Sequence, residues 1–266
     1  MKISIISAYY NRKPLLEKTL VSINESMFKD FEFIVVDDGS DAEHEIGDLM
    51  NSYSFLTVIK IKKEDKKHTN PSIPFNIGIG IASGDIIVLQ NPECYHLDDI
   101  LTYVNDNLKE NEYYSFSTYS INKEQTNRVL STHNLTRNRV KEIISPIIPQ
   151  VFHDFNHPGW YNHSIYRPKA YHFCAAIHKS NMHKLNGFDE RYGNGIGYDD
   201  DEFLNRVMKL GLGVRIIDDK TVVHLFHEQA YQYVNSSELI DKNKRLFFQT
   251  MGEKTISVNN RNIFVR

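Results

Sequence analysis

The sequence predicts an α/β protein: a mostly parallel central sheet with helices on both faces. Three observations lead there. Short runs rich in β-branched residues, such as Phe33-Ile34-Val35-Val36, alternate with longer helical patterns through the first half of the chain. Runs so short and so apolar suit strands buried on both faces. The 266 residues are 41% hydrophobic and 24% charged, enough for one sizeable core, or a core plus a small subdomain.

In chain order the pattern reads strand Ile3-Ser7, helix Leu15-Ser26, strand Phe31-Val36, helix Ala42-Ser52, strand Phe55-Ile61, helix Ile73-Ser83 and strand Asp85-Gln90. A helix over Leu97-Lys109 and a strand over Tyr113-Tyr119 follow. From about residue 121 to 170 the pattern decays into a histidine-, aromatic- and proline-rich stretch, and a loop that long in a compact domain is usually functional or mobile. Regularity returns with strand Ala170-His178, a helix from Ser180, a helix over Asp201-Leu210, strands Val214-Ile217 and Thr221-Leu225, and a last helix Ser237-Thr250 capped by Ser236 or Ser237. No repeat or low-complexity tract breaks this order.

Net charge is −3 with both signs interspersed, so no face is built to neutralise a phosphate polymer and nucleic acid is not an expected partner. Cys94 and Cys174 form no Cys-x-x-Cys pair and read as reduced thiols. The start MKISIISAYYN lacks the apolar stretch and cleavage site of a signal peptide, and no run approaches a membrane span. The expected location is the cytoplasm, with peripheral membrane association left open. Sequons at Asn134, Asn162 and Asn235 then read as chance.

In a parallel sheet, ligands gather at the carboxyl ends of the strands. The loops leaving those ends are Ala8-Lys13, Asp37-Asp41, Lys62-Ser72 and Asn91-Tyr95. Asp37-Asp38-Gly39-Ser40 puts two carboxylates and a glycine turn at one such end. A carboxylate there can accept from a nucleobase imide N–H, which uracil offers and adenine does not; an Asx turn is the alternative use. Ser7-Ala8-Tyr9-Tyr10-Asn11 brings a second polar strand end to the same crevice, making Ser7, Tyr9 and Asn11 candidate donor contacts. The run Lys62-His68 reads as solvated surface, with Lys66, Lys67 and His68 as alternative diphosphate contacts.

Tyr198-Asp199-Asp200-Asp201-Glu202-Phe203 concentrates four acids before a helix whose apolar face carries Phe203, Val207 and Leu210. The helix dipole favours acids there, but capping does not require four. The run Thr221-Glu228 puts two histidines, His224 and His227, three residues apart at the end of an apolar strand. Trp160, Tyr161 and Tyr166 offer an aromatic platform for a sugar face, or anchors for their own loop.

Taken in order, Ser7-Asn11, Val36-Ser40, Asn76-Ile77-Gly78 with Ala82-Ser83-Gly84-Asp85, and Gly187-Phe188-Asp189-Glu190 followed by Asp199-Asp200 resemble the successive motifs of family 2 glycosyltransferases of GT-A fold, across roughly residues 1 to 230. The resemblance implies a Rossmann-like domain over 1–230. Its nucleotide-sugar half would be 1–95 and its acceptor and catalytic half 96–230, with residues 231–266 as a helical extension and tail. It implies an inverting hexosyl- or N-acetylhexosaminyltransferase that takes a UDP-sugar donor to a hydroxyl on a glycan, polysaccharide or glycoconjugate precursor. Asp38 would bind uracil, Asp37 the base or ribose, and Asn76 and Asn91 would belong to the donor site. Asp200 would be the general base, with Asp199, Asp201 and Trp160 on the acceptor side.

Where the family carries its Asp-x-Asp metal motif, the sequence reads Asn91-Pro92-Glu93, so one charge remains. One carboxylate with waters and phosphate oxygens suffices for Mn2+ or Mg2+. By the pattern of β-1,4-galactosyltransferase-type relatives, His227 would complete the site with His224 beside it. Two alternatives stay open: a metal-independent transferase, and a nucleotide-sugar-binding module without turnover. A nucleotidyltransferase is disfavoured, because it would need a glycine-rich, lysine-bearing loop near the N-terminus.

Overall fold

Residues 1–154, 156–228 and 236–264 are described by a computed structural model. In these, β1 (Ile3–Tyr9), β2 (Phe31–Asp38), β3 (Leu56–Ile61) and β4 (Ile86–Gln90) alternate with α1 (Lys13–Asn24) and α2 (Ser72–Ile81). Then come β5 (Cys94–His96), α3 (Ile100–Asn107), β6 (Glu112–Ser120), α4 (Lys123–Ser131), α5 (Arg137–Ile144) and β7 (Gly159–Asn162). The chain continues through β8 (Cys174–His178), α6 (Lys179–Leu185), α7 (Asp199–Lys209), β9 (Gly213–His224) and α8 (Ser236–Thr250).

The strands form one sheet in the order β3-β2-β1-β4-β8-β6-β9-β5, with β7 pairing the far part of β6. The block β3-β2-β1-β4 is parallel. Strand β8 enters antiparallel between β4 and β6, and β9 runs parallel to β6. Because β8 is reversed, its first residue, Cys174, lies opposite Gln90, the last of β4. The segment leading into β8 therefore reaches the same sheet edge as the carboxyl ends of β1, β2 and β4.

The period-two alternation of a strand explains how the sheet is sealed. Ile3, Ile5, Phe33, Val35, Ile86, Val88 and Ala176 join one apolar cluster with Leu16 and Leu20 of α1 and Ile100 and Val104 of α3. Their neighbours Ile6, Ile34, Val36, Ile87, Leu89 and Ile177 join the cluster on the opposite face with Phe75 of α2, Met182 of α6 and Phe203 of α7. Gly78 is required by this packing, since a Cβ there would lie 2.5 Å from Ile6 Cγ2.

Three expectations need correction. Residues 42–52 form two 3-10 turns rather than a helix. The stretch 121–170 is not one irregular loop: it contains α4, α5 and β7, and Val129, Val140, Ile143 and Ile144 of its helices build a third apolar cluster with Tyr119 and Trp160. The start of α4 is a reciprocal capping box between Asn122 and Gln125, a signal present in the sequence at its usual spacing. The expected separate strands at 214–217 and 221–225 are one strand, β9, with a register shift opposite Phe116 and Ser117. The C-terminal segment packs on this body, with Val258 and Ile263 buried and Asn243 of α8 donating to the Tyr192 carbonyl at 3.1 Å. Of the sequon positions, Asn235 lies outside the described residues.

Helix α7 is anchored by a buried ion pair. Arg206, 1% exposed, places Nε 2.6 Å and Nη2 2.8 Å from the two carboxylate oxygens of Glu202, and its Nη1 donates to the Leu185 carbonyl at 2.9 Å. Arg206→Met is expected to destabilise the protein by about 3–5 kcal/mol, because it leaves a buried carboxylate unpaired, whereas Arg206→Met with Glu202→Leu should recover most of that loss. Urea unfolding of the two variants measures this; equal midpoints would show that the pair does not anchor the helix.

Candidate active site

A cavity of about 670 Å³ opens at the carboxyl edge of the sheet. Its wall includes Tyr9, Tyr10 and Arg12 at the end of β1 and just beyond, Asp38 at the end of β2, Asn70 and Phe75 around the start of α2, and Asn91 after β4. The far wall is His172, Asp199, Asp200, Asp201 and His227. A cavity of similar size, about 690 Å³, lies under the C-terminal tail between Asp189, Arg191, Glu253 and Asn259, and none of the sequence-predicted site residues lines it.

The acidic run at the start of α7 is not used for capping. Gly197 and Tyr198 both have positive φ, 67° and 64°, turning the chain sharply into the helix, and the cap position makes no side-chain hydrogen bond. The three aspartates instead meet partners from elsewhere in the fold. Asp199 accepts from Asn70 Nδ2 at 2.7 Å, Asp201 accepts from the Tyr171 hydroxyl at 2.7 Å, and Asp200 Oδ1 lies 2.7 Å from His172 Nδ1. Burial, aided by the neighbouring charge of Asp200, raises the Asp199 carboxyl. Burial also acts to raise Asp200, but the charge and hydrogen bond of His172 outweigh it and hold that carboxyl below its usual range. His172, Asp199 and Asp200 are close enough to share an ion, but the 2.7 Å distance from His172 Nδ1 to Asp200 Oδ1 is that of a charge-assisted hydrogen bond.

At the opposite wall, Asp38 is held by two groups from the loop read as solvated. His68 Nε2 lies 2.7 Å from Oδ1 and Lys66 Nζ 2.7 Å from Oδ2, with the Lys66 ammonium 4.1 Å from the Tyr10 ring centroid. His68 is buried and Lys66 half-buried, while Lys67 is exposed. A carboxylate oxygen carries two lone pairs, so Asp38 retains capacity to accept from a base.

The third corner brings Glu93, His224 and His227 together. Glu93 Oε1 lies 3.2 Å from His224 Nε2 and 3.4 Å from His227 Nε2, while Oε2 lies 2.7 Å from Arg12 Nη1. Burial acts to raise the Glu93 carboxyl, but Arg12 first, then the two histidines, hold it well below the usual range. The set fits a divalent cation. Ligand atoms about 2.0–2.3 Å from one ion sit roughly 3–3.7 Å apart in tetrahedral or octahedral geometry. His227 Nδ1 also lies 2.9 Å from the Glu228 carbonyl; when it donates there, Nε2 presents a lone pair towards Glu93, and two facing acceptors need a cation or a proton between them. His224 is the weaker member, since its Nδ1 is buried with no hydrogen-bond partner among the described residues.

Several expected donor contacts are placed elsewhere. Ser7 is fully buried inside β1, and Asn11 pairs with Asp41 through its amide oxygen at 2.8 Å and nitrogen at 2.7 Å. Asp37 Oδ1 accepts from the Ser40 N–H at 3.0 Å in an Asx-type turn. Asn76 brackets Phe188, accepting from its N–H at 2.8 Å and donating to its carbonyl at 2.9 Å. Tyr9 and Asn91 do line the cavity, although the Tyr9 hydroxyl donates to the His44 carbonyl and Asn91 Nδ2 lies 3.3 Å from Glu93. Trp160, 6% exposed, packs edge-on against Tyr119 with ring centroids 5.0 Å apart, in the core rather than on the cavity wall.

Four groups that the sequence did not single out complete the site: Arg12, Asn70, Tyr171 and His172. Arg12 adjoins a motif already in view and Asn70 precedes the Pro71 that opens α2, so both had a local signal. The sequence reads both Tyr171 and His172 as strand; the observed start of β8 at Cys174 leaves His172 on the cavity wall and the Tyr171 hydroxyl bonded to Asp201.

The sequence matches the model of glycosyl transferase family 2 over residues 4–175 and, over residues 168–228, the model described as the N-terminal domain of galactosyltransferase. A comparison with curated proteins finds no match. Among solved structures, residues 1–349 of S. aureus TarS in complex with UDP-GlcNAc are 15% identical with a TM-score of 0.63, the alignment covering 96% of this chain and 68% of that one. Another structure of the same TarS segment gives 15% identity and a TM-score of 0.56, covering 85% of this chain and 60% of that one. The mannosyltransferase PcManGT from Pyrobaculum calidifontis, in complex with GDP-Man and Mn2+, is 14% identical with a TM-score of 0.54, covering 86% of this chain and 58% of that one. This chain thus spans about 60% of the TarS segment in the second of these alignments and 58% of PcManGT in the third. At these identities the likeness is one of fold, that of GT-A glycosyltransferases. With a family model matched over more than half of its length, the chain belongs to glycosyl transferase family 2.

Proposed function

We propose that this protein transfers a hexosyl or N-acetylhexosaminyl group from a UDP-sugar to a hydroxyl of a glycan or glycoconjugate precursor, inverting the anomeric centre, with Asp200 as general base. The observation that carries the reading is the run Asp199-Asp200-Asp201: three carboxylates at a cavity-facing helix start, none needed as a cap, each bonded to a partner from another part of the chain. The TarS complex with UDP-GlcNAc supports a nucleotide-diphosphate-sugar donor.

In this mechanism Asp38 accepts from the uracil imide while His68 and Lys66 fix its carboxylate. Arg12 lies between Glu93 and the cavity and offers positive charge to the diphosphate. Glu93, His227 and His224 would hold the divalent cation, which when bound would neutralise charge developing on the leaving diphosphate. Asp200 takes the proton of the acceptor hydroxyl as that oxygen bonds to the anomeric carbon and the bond from carbon to the diphosphate oxygen breaks on the opposite face. Asp199 and Asp201 hold acceptor hydroxyls around it, with Asp201 steadied by the Tyr171 hydroxyl. The Arg12–Glu93 contact also favours a second reading, in which Arg12 and Lys66 serve in place of an ion.

Isothermal calorimetry is expected to show UDP bound more tightly than ADP or CDP, with dTDP second, and Asp38→Ala weakening UDP by roughly 10- to 100-fold, the loss of one hydrogen bond to a charged group. Equal affinity for all four nucleotides would remove Asp38 from the base site. With UDP present, Mn2+ is expected to raise the melting temperature of the wild type, and the rise should disappear in Glu93→Ala and His227→Ala. Full turnover in EDTA would instead select the metal-independent reading. Asp200→Asn should keep UDP affinity and lose on the order of 10²- to 10⁴-fold in kcat, while Asp199→Asn and Asp201→Asn chiefly raise the KM for acceptor. Normal turnover in all three variants would make the cluster structural.

A further inference from the structure

We propose that His172 is the positioning residue that singles out Asp200 as the base from three consecutive aspartates, by gripping one oxygen of its carboxylate and leaving the other to the acceptor hydroxyl. The inference rests on the reading of Asp200 as base and adds what makes that residue, rather than its neighbours, suited to the task.

The three carboxylates differ chiefly in their partners. Asp199 meets a neutral amide and Asp201 a phenol, whose proton burial and the charge of Asp201 hold firmly in place. Asp200 alone of the three meets an imidazole, and that contact is two-pronged: His172 Nδ1 lies 2.7 Å from Oδ1, and the His172 backbone N–H donates to the same oxygen at 3.4 Å. Both donations fall on Oδ1. The imidazole is itself confined, its centroid 5.2 Å from the Phe75 ring and 4.9 Å from the Phe188 ring, each roughly edge to face. Phe75 belongs to α2 and Phe188 follows α6, so the orientation of the ring is set by the core and not by the loop that carries it.

The charged and titratable groups facing this pair are Asp199 beside it on α7, Tyr171 and Arg167 from the segment before β8, and Tyr113 from β6. Burial works against the imidazolium, but the charge of Asp200 prevails and raises His172, while His172 lowers Asp200. Both shifts favour the charged form of the pair. Asp199, raised by burial and by Asp200, keeps its proton to higher pH, so the ionised form is held more firmly at Asp200. The sign of a test follows: removing His172 raises the carboxyl of Asp200, so the acid limb of the pH–rate profile moves to higher pH.

The experiment compares wild type, His172→Gln and His172→Phe in transfer, or in hydrolysis with water as acceptor, using the UDP-sugar that calorimetry selects. Glutamine keeps a donor without charge, and phenylalanine fills the aromatic cage without a donor. Both variants should keep the KM for donor, lower kcat at neutral pH by about tenfold or more, and shift the acid limb of kcat/KM upward by about one pH unit, the low end for losing an adjacent opposite charge. A uniform loss at every pH with an unmoved limb overturns the proposal, since that is what a packing role alone gives. Imidazole 15N resonances supply a readout free of turnover: the midpoint of the His172 signal should fall in Asp200→Asn, and an unchanged midpoint also overturns it. If Asp200→Asn retains full turnover, the assignment of the base fails; if it is inactive while the His172 variants keep the wild-type limb, this inference alone fails.

Discussion

Because helices seal both faces of the sheet, its strands can offer functional groups to a ligand only at their ends. Ile3, Ile5, Phe33 and Val35 are committed to one apolar layer and Ile6, Ile34 and Val36 to the other, so no side chain along the middle of β1 or β2 is free for chemistry. Polar groups emerge where the ladder stops, at Tyr9–Arg12, Asp38 and Asn91. The reversed entry of β8 adds Tyr171 and His172 to the same edge, which brings a segment from the second half of the chain to the loops at the ends of β1, β2 and β4.

Placing three aspartates side by side at that edge costs electrostatic free energy, and the fold offsets it with individual partners. Glu202 is absorbed by Arg206, which also bonds the Leu185 carbonyl and so ties α7 to the core, while the three aspartates immediately before it meet Asn70, His172 and Tyr171. The same logic holds at Asp38, between His68 and Lys66, and at Glu93, between Arg12 and two histidines. Each of these acids is met by donors or cations from a different segment of the chain.

Some motif residues prove to be scaffold. Gly78 lets α2 lie against β1, and Gly84 sits where a Cβ would be 2.7 Å from the Ser4 nitrogen. Asn76 holds Phe188, whose ring stacks on Phe75 and meets His172 edge to face. Through that chain of contacts Asn76 supports His172, the partner of Asp200, from behind. Trp160 shows the converse: its size and aromaticity suit a sugar platform and a core equally, and the apolar faces of α4 and α5 claimed it for the core.

The sequence by itself determined what is local. Strand alternation, the turn at Asp37-Asp38-Gly39-Ser40, the capping box at Asn122 and the acid cluster before α7 are set by neighbouring residues, since side-chain period and turn chemistry act over a few positions. The location of the site at the strand ends followed from these. Tertiary structure alone decided which groups meet. Asn70 and Asp199 are 129 residues apart, Arg12 and Glu93 are 81 apart, and His172 and Asp200 are joined by the reversal of β8. No pattern within a segment encodes such pairings, because they depend on the register of strands and the seating of helices against a core that exists only once the whole chain has folded.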